Sequence, residues 1–443
     1  MPASRRLDYL GIHPMKKQPV LRIVPVKSSA HPDVRRLASR EPSPSPEIAR
    51  TVQGILADVK REGHAAALRY ARKFDGLKGS LAVPRAEIDR KAAALDPQVK
   101  RAIRGAIAKV KRFHAMQAEK SWTFKGADGE TLGQIIRPLR RVGLYVPGGA
   151  GVYPSTLIMN AVPARVAGVK EIAVVTPASR GLHPGVAYAA RELGISEIYR
   201  IGGAQAVAML AYGTARVERV DKIVGPGNVY ATLAKKEVFG TVDIDMIAGP
   251  SEILVMADES ADPDWVAADL LSQAEHGSGY EAAVCITTSS KAAAWIADCV
   301  AQQVEASPKR ELLEKCLANF GRIYVVPDWK AGCALADAIA PEHLEILTRD
   351  PGALAARLRN AGALFLGPHS SEPVGDYFAG PNHVLPTNGS ARFFSPLGTY
   401  DFYKRTSLIE YSAKAIRRNG PLIAALADAE GFIHHAAAVR KRL

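Results

Sequence analysis

A chain of 443 residues, 47% hydrophobic and 23% charged, has the ordinary make-up of a globular protein and the length for two or three domains with real cores. No apolar run approaches the ~20 residues that cross a bilayer. The opening "MPASRRLDYLGIHPMKKQP" lacks the apolar centre of a secretory signal, so the expected home is the cytoplasm, with no membrane partner. The formal net charge of +14 raises nucleic acid as a partner, but its distribution along the chain argues against that.

Residues 1–45 read as a basic N-terminal arm closed by "REPSPSPE". The first 50 residues hold ten Lys and Arg against four Asp and Glu, whereas a nucleic-acid reader concentrates charge on a folded face with interleaved aromatics. The surplus suits a solvated arm and anionic ligands such as dinucleotides; Met15 stands as an alternative start. Residues 46–120 carry apolar residues at helical spacing in "PEIARTVQGILADVKREGHAAALRYARKFDG" and again in "DPQVKRAIRGAIAKVKRFHAMQAEK". This segment is expected to pack with the second of two α/β units that follow. In residues 121–250 short apolar runs ("RVGLYVPGG", "EIAVVTPAS", "EIYRIGGAQAVAML", "DKIVGPGNVYATLAKKEV") alternate with helix-like stretches, the rhythm of a parallel, doubly wound sheet. Residues 251–394 repeat it with "SEILVMAD", "AAVCITTSS", "GRIYVVPD", "LEILTRD" and "GALFLGP". The expected fold class is α/β: two tandem Rossmann-like doubly wound α/β/α units with N-terminal helices. Residues 395–443 read as a helical C-terminal tail.

Three strand-to-helix turns of the first unit are rich in glycine: "VPGGAGVYPST", "IGGAQAVAM" and "VGPGNVYAT". Glycine lets backbone N–H groups approach phosphate oxygens, and the following helix N-terminus favours negative charge. None has the full GxGxxG pattern with an acidic ribose ligand, and a tight turn explains each one singly. Three at strand ends lie where such sheets bind ligands, so a dinucleotide is the expected occupant. The second unit supplies "QAEHG" (Gln273, His276), "APEHLEI" (Glu342, His343) and "VGDYFAGPNHVLPT" (Asp376, His383), and the tail adds "AEGFIHH" (Glu430, His434, His435). Any one histidine is more often structural, and His276 alone could answer a helix C-terminal dipole. Together these imidazoles and carboxylates, in loops after apolar strands or helices, suit zinc, which takes about four such ligands. The adjacent Glu342 and His343 suit proton transfer better than chelation. Cys285, Cys299, Cys316 and Cys333 form no CxxC and read as buried reduced thiols.

In order along the chain, "RRVGLYVPGG", "YPSTLIMNAVPARVAGV", "GGAQAVAMLAYGT", "VDKIVGPGNVY", "IDMIAGPSEILVMAD", "LLSQAEHG", "APEHLEI", "VGDYFAGPNHVLPT", "FSPLGTYDFYKRTS" and "EGFIHHAAAV" resemble histidinol dehydrogenase, a zinc- and NAD-dependent family of histidine biosynthesis. The resemblance runs from about residue 46 to the end. It implies zinc ligands at Gln273, His276, Asp376 and His435, and a proton-handling pair at Glu342 and His343. Substrate contacts are implied at Ser251, His383 and Glu430 besides His343 and the metal ligands, and cofactor contacts at Tyr145, Gln205 and Asn228. His434 beside His435 leaves the tail ligand open by one residue; counting from "EG" favours His435. The implied reaction takes L-histidinol through L-histidinal to L-histidine with two NAD. His343 would remove the hydroxyl proton and Glu342 would activate water on the aldehyde. No cysteine sits in a setting that favours a covalent thiohemiacetal. A homodimer is implied, with C-terminal tails exchanged so that Glu430 and His435 complete the partner's site. The nearest alternative is a related zinc dehydrogenase of another small alcohol, such as a sulfonated diol; the intact "GDYFAGPNHVLPT" and "SPLGTYDFYKRTS" favour histidinol.

Overall fold

In the computed structural model of the chain, residues 20–38, 45–148, 153–177, 181–276 and 279–443 are described. The start at Met1 or Met15, part of the "VPGGAGVYP" turn, and Gly277 and Ser278 lie outside the described residues. The chain forms two compact units, one of Met1–Ala49 with Met246–Pro396, the other of Arg50–Asp245 with Leu397–Leu443. No helix among the described residues is long and apolar enough to cross a membrane.

The unit built on Arg50–Asp245 holds a parallel sheet in the order Glu197–Tyr199, Glu171–Val175, Arg141–Tyr145, Lys222–Val224, Asp243–Ile244. The strands are buried on both faces, which is why they read as unbroken apolar runs. Arg141–Tyr145 lies in the middle. The chain winds outward from it in one direction, then returns to place Lys222–Val224 on its other side. Helices Pro154–Ala167 and Gly203–Tyr212 are buried nearly all round, so neither carries the polar stripe of a surface helix.

The helical segment belongs to this unit, whereas its sequence leads one to expect it with the second α/β unit. Helix Arg85–Ala93 lies against Pro184–Glu192, Pro97–Ala115 against Pro154–Ala167, and His64–Phe74 against Gly203–Tyr212. The physical reason is a backbone seam. Val83 N–H donates to Ile198 O at 2.9 Å and Arg200 N–H to Leu81 O at 2.8 Å, so the connection between two of these helices extends the sheet edge. The tail is likewise not purely helical. Tyr403–Glu410 is a strand, antiparallel to Thr131–Pro138, which pairs in turn with Trp122–Lys125. Helices Ala413–Ala429 and Ile433–Arg440 follow.

The second unit holds a six-stranded parallel sheet: Arg22–Pro25, Gly321–Val325, Ala282–Thr287, Glu252–Ala257, His343–Leu347, Ala363–Leu366. From Glu252–Ala257 onward its winding repeats that of the first sheet. Period-two alternation divides its core between the two faces. Ile253, Val255, Ala283, Cys285 and Ile323 pack with helices Pro263–Ala274, Ser290–Ala306 and Arg310–Phe320. Leu254, Met256, Val284, Tyr324, Leu344 and Ile346 pack with Trp329–Ile339. The basic arm therefore ends earlier than expected: Arg22–Pro25 is the sheet's edge strand, and Leu21 is fully buried. Helix Pro32–Ala38 is tied down by Asp33, which accepts from Arg322 Nε at 3.0 Å and Tyr324 Oη at 3.2 Å.

Candidate metal and proton-transfer site

Helix Pro263–Ala274 starts with Asp262 accepting from Asp264 N–H and Pro263 at its first position, and then runs back along the sheet. Its last turn carries Gln273 to the amino ends of the strands. Gln273 is 1% exposed, and its Oε1 has no hydrogen-bond partner. Leaving such an acceptor unsatisfied costs about 1–3 kcal/mol, which marks it as an atom meant for a ligand. His276 follows just beyond the helix and is exposed. Desolvation by surrounding protein holds its imidazole below the ordinary range against the pull of Asp376 and Glu281. A neutral imidazole is the form that ligates a metal.

The alternation that buries Leu344 and Ile346 on one face turns His343 and Glu345 towards the face of helix Pro263–Ala274. His343 is the first residue of its strand, not a loop residue as its sequence suggested. One neighbouring residue fixes both members of the pair. Glu252 N–H donates to Glu342 Oε2 at 3.0 Å, and Glu252 O accepts from His343 Nδ1 at 2.9 Å. A carbonyl only accepts, so Nδ1 carries a proton. Nε2, without a hydrogen-bond partner, lies 3.7 Å from Asp376 Oδ1. Gly362 makes the turn possible, since a Cβ there would sit 2.5 Å from Glu342 O. Burial pushes the Glu342 carboxyl up to about 7, with Glu252 adding to it and His343 opposing. Burial alone would depress His343, but Glu342 and Asp376 outweigh it and push the imidazole up to about 10.

Asp376 sits in a π-helical turn, Gly375–Ala379, a geometry frequent at functional positions. Its Oδ2 is 3.7 Å from His383 Nδ1. Burial favours its neutral acid, yet His343 and His383 together hold it well below the usual carboxylate range. Among the described residues, donor atoms of His343, Glu372 and Asp376 lie within 4.8 Å of one another. Glu372 was not anticipated; its place four residues before Asp376, one helical turn away, was the available signal. Its N–H donates to Glu345 Oε1 at 2.6 Å, and Ser272 Oγ donates to its Oε2 at 3.1 Å. Ser272, next to Gln273, thus ties the helix to the segment that carries Asp376. Burial, then Asp376, raises the Glu372 acid, and burial, then Asp269, raises Glu345.

Seven of the expected residues therefore belong to one unit: Ser251, Gln273, His276, Glu342, His343, Asp376 and His383. Glu342, His343, Asp376 and His383 meet directly. The cluster lies at the amino ends of the strands, opposite to the carboxyl-end crevice where open α/β sheets usually bind ligands. Its oxygen and nitrogen donors, together with the orphaned amide oxygen of Gln273 in the same unit, are of the kinds that fit a zinc-like ion. The thiols do not compete: Cys285 is buried and pushed up to about 12, and burial raises Cys299 and Cys333 as well.

Tyr145, Gln205 and Asn228 belong to the other unit, at the point where its strand order reverses. Tyr145 ends the central strand, and its Oη accepts from Gly203 N–H at 2.8 Å. Asn228 caps helix Val229–Val238 through its Oδ1 and is exposed. A buried ion pair grips Gly225 between them. Lys235 Nζ donates to Gly225 O at 2.9 Å and pairs with Asp245, which accepts from Gly225 N–H at 2.7 Å. Gly225 has φ +110°, and a Cβ there would lie 2.2 Å from Tyr145 O. Glu430 and His435 are exposed on the tail of this same unit, the His435 ring 5.0 Å from that of Phe432.

The family model for histidinol dehydrogenase matches residues 38–443. The chain is 52% identical over 412 residues to the histidinol dehydrogenase of Moorella thermoacetica, covering 92% of this chain and 96% of that one. It is 51% identical over 400 residues to that of Geobacillus kaustophilus, covering 90% and 94%. The crystal structure of histidinol dehydrogenase from Elizabethkingia anophelis superposes with a TM-score of 0.90 at 33% identity, over 96% of this chain and 98% of that chain.

Proposed function

Since the chain belongs to the histidinol dehydrogenase family, we propose that it oxidises L-histidinol through L-histidinal to L-histidine, using zinc and two NAD. The observation that carries this reading is the convergence of Asp376, His343 Nε2 and His383 in a buried cluster beside a helix whose Gln273 Oε1 lacks a partner. Gln273, His276 and Asp376 would hold the metal. A zinc ion bound there supplies a Lewis acid that anchors the imidazole and amine of the substrate, while NAD accepts two electrons in each oxidation.

His343 accepts the carbinol proton at Nε2, while its Nδ1–H stays fixed on Glu252 O. With Asp376 holding a cation, His343 would feel less of the negative charge that Asp376 adds to that of Glu342, and its imidazole would be closer to the neutral form that acts as a base. Glu342, poised near neutrality, takes a proton from the water that adds to the aldehyde carbon. Ser251, His383 and, from the tail, Glu430 would position the substrate, and Tyr145, Gln205 and Asn228 the cofactor.

One face of helix Ala413–Ala429 exposes Leu422, at 72%, and Leu426, at 64%, and the next helix exposes Ile433, at 71%. We assign a second copy of the chain to that face, with His435 and Glu430 completing the other subunit's site and His435 its fourth ligand. The names of the relatives favour histidinol over a sulfonated diol, and a biosynthetic role agrees with a cytoplasmic enzyme. The test is the yield of NADH per L-histidinol. Two, with histidine as product, is expected; one, or turnover of a sulfonated diol alone, would overturn the reading.

A further inference from the structure

The turn Gly202-Gly203 looks, by sequence, like a phosphate cradle at the start of helix Gly203–Tyr212. In such cradles the first N–H groups of the helix stay open for the anion. Here the protein already uses the N–H groups of both glycines. Gly203 N–H donates to Tyr145 Oη at 2.8 Å, and Gly202 N–H donates to Asp75 Oδ2 at 3.1 Å. The same Asp75 oxygen accepts from Gln205 Nε2 at 3.1 Å. The glycines also have another explanation. Gly203 has φ +59°, and a Cβ on Gly202 would meet Pro177 side-chain carbons at 3.0 Å.

Asp75 closes helix His64–Phe74 of the helical segment, so its carboxylate comes from outside the sheet. It occupies the position at the helix N-terminus that a phosphate oxygen takes elsewhere, and a second anion there meets like charge. Gln205 is 2% exposed. With one N–H of Nε2 engaged by Asp75, the amide is held in place and its Oε1 can accept from a ligand donor, such as a carboxamide N–H or a ribose hydroxyl.

We infer that Asp75 is a positioning residue of the cofactor site: it fixes the amide of Gln205 and, by holding Gly202 N–H, dedicates this turn to an uncharged hydrogen-bonding part of the dinucleotide and not to its pyrophosphate. The inference rests on the reading that Gln205 contacts NAD.

Binding of NAD by calorimetry, with steady-state kinetics alongside, tests it in the full-length enzyme. Asp75→Ala should weaken NAD binding about tenfold, the worth of a hydrogen bond of ~1.4 kcal/mol. It should raise KM for NAD while kcat and KM for histidinol stay within about twofold, a split that general destabilisation does not produce. In a Gln205→Ala background, Asp75→Ala should add less than about twofold, because the two act through one contact. Asp75→Asn, which conserves volume and whose amide oxygen can take both bonds that Asp75 Oδ2 makes, keeps the test alive if the alanine variant folds poorly; it should bind NAD within about twofold of the parent. Tighter NAD binding by Asp75→Asn would place the pyrophosphate at this turn and overturn the inference, as would additive losses in the double variant. If Gln205→Ala binds NAD as well as the parent, the cofactor assignment fails. If Gln205→Ala weakens binding and Asp75→Ala does not, only the role of Asp75 fails.

Discussion

Replacing Glu342 with Gln separates the two oxidations. The side chain keeps its shape, and its amide oxygen can still accept the Glu252 N–H that Glu342 Oε2 accepts at 3.0 Å, so the turn before His343 should hold. What is lost is a carboxylate that burial has pushed up to about 7, where acid and base forms are both populated near neutral pH. Only the aldehyde step needs water activated. Loss of a general base is typically worth about 10²–10⁴-fold, or ~2.7–5.4 kcal/mol in barrier. His343 keeps Nδ1 on Glu252 O and so keeps Nε2 for the alcohol proton. Without the charge of Glu342 its imidazole falls towards the ordinary range, which helps a base. Initial rates of NADH formation, measured with L-histidinal and L-histidinol supplied separately, should show a loss of at least about 10²-fold for the aldehyde and within about tenfold for the first alcohol turnover. Equal losses on both substrates would refute the division of labour between Glu342 and His343.

Three more outcomes are expected. An inactive His435→Ala chain refolded with an inactive His276→Ala chain should recover roughly a quarter of wild-type activity, because random mixing makes about half heterodimers, each with one intact site; no recovery despite heterodimers seen by mass spectrometry would return the tail to its own subunit. Asp245→Ala should cost about 3–5 kcal/mol in denaturant unfolding by stranding buried Lys235, and pairing it with Lys235→Met should restore much of that; no rescue would mean the pair does not act as a unit. In the metal-free protein, Glu342 and His343 both have folded values above their ordinary ones. The stability they contribute is complete below those ordinary values and is lost as pH rises through about 7 and then about 10. Tm in chelator should therefore fall from pH 6 to pH 10, and Glu342→Gln should flatten the whole fall, because it removes one titrating group and the charge that most raises the other; a rising Tm would contradict this.

The winding of both sheets was legible because each strand is an apolar run closed by Gly, Pro or a small residue. The pair Glu342-His343 was legible because its chemistry lies in adjacent positions. The partner of the helices in residues 46–120 was not, since an amphipathic stripe states that a face is buried and not against what. The seam at Leu81 and Val83 that decides it is a backbone pairing with no compositional mark. Arg22–Pro25 was hidden by the basic residues around it, although Leu21 and Val26 are core. Glu252 and Glu345 are not legible because a buried glutamate inside a strand looks, in sequence, like the polar half of an alternating pattern, and Glu372 opens a three-residue helix too short to show a period. Their burial shows only in the fold, where helix Pro263–Ala274 and the segment at Asp376 cover Glu345 and Glu372, and Asn388 N–H meets the Glu252 carboxylate.

In the proposed site Gln273, His276 and Asp376 hold the metal with His435 of a second copy, leaving His343 free to move protons. Anomalous diffraction at the zinc edge from crystals of the metal-loaded enzyme tests it directly. One peak per chain is expected, about 2.0–2.2 Å from Gln273 Oε1, a His276 ring nitrogen, an Asp376 oxygen and a ring nitrogen of His435 from the second copy. A peak bonded instead to His343, Glu372 and Asp376 would contradict it.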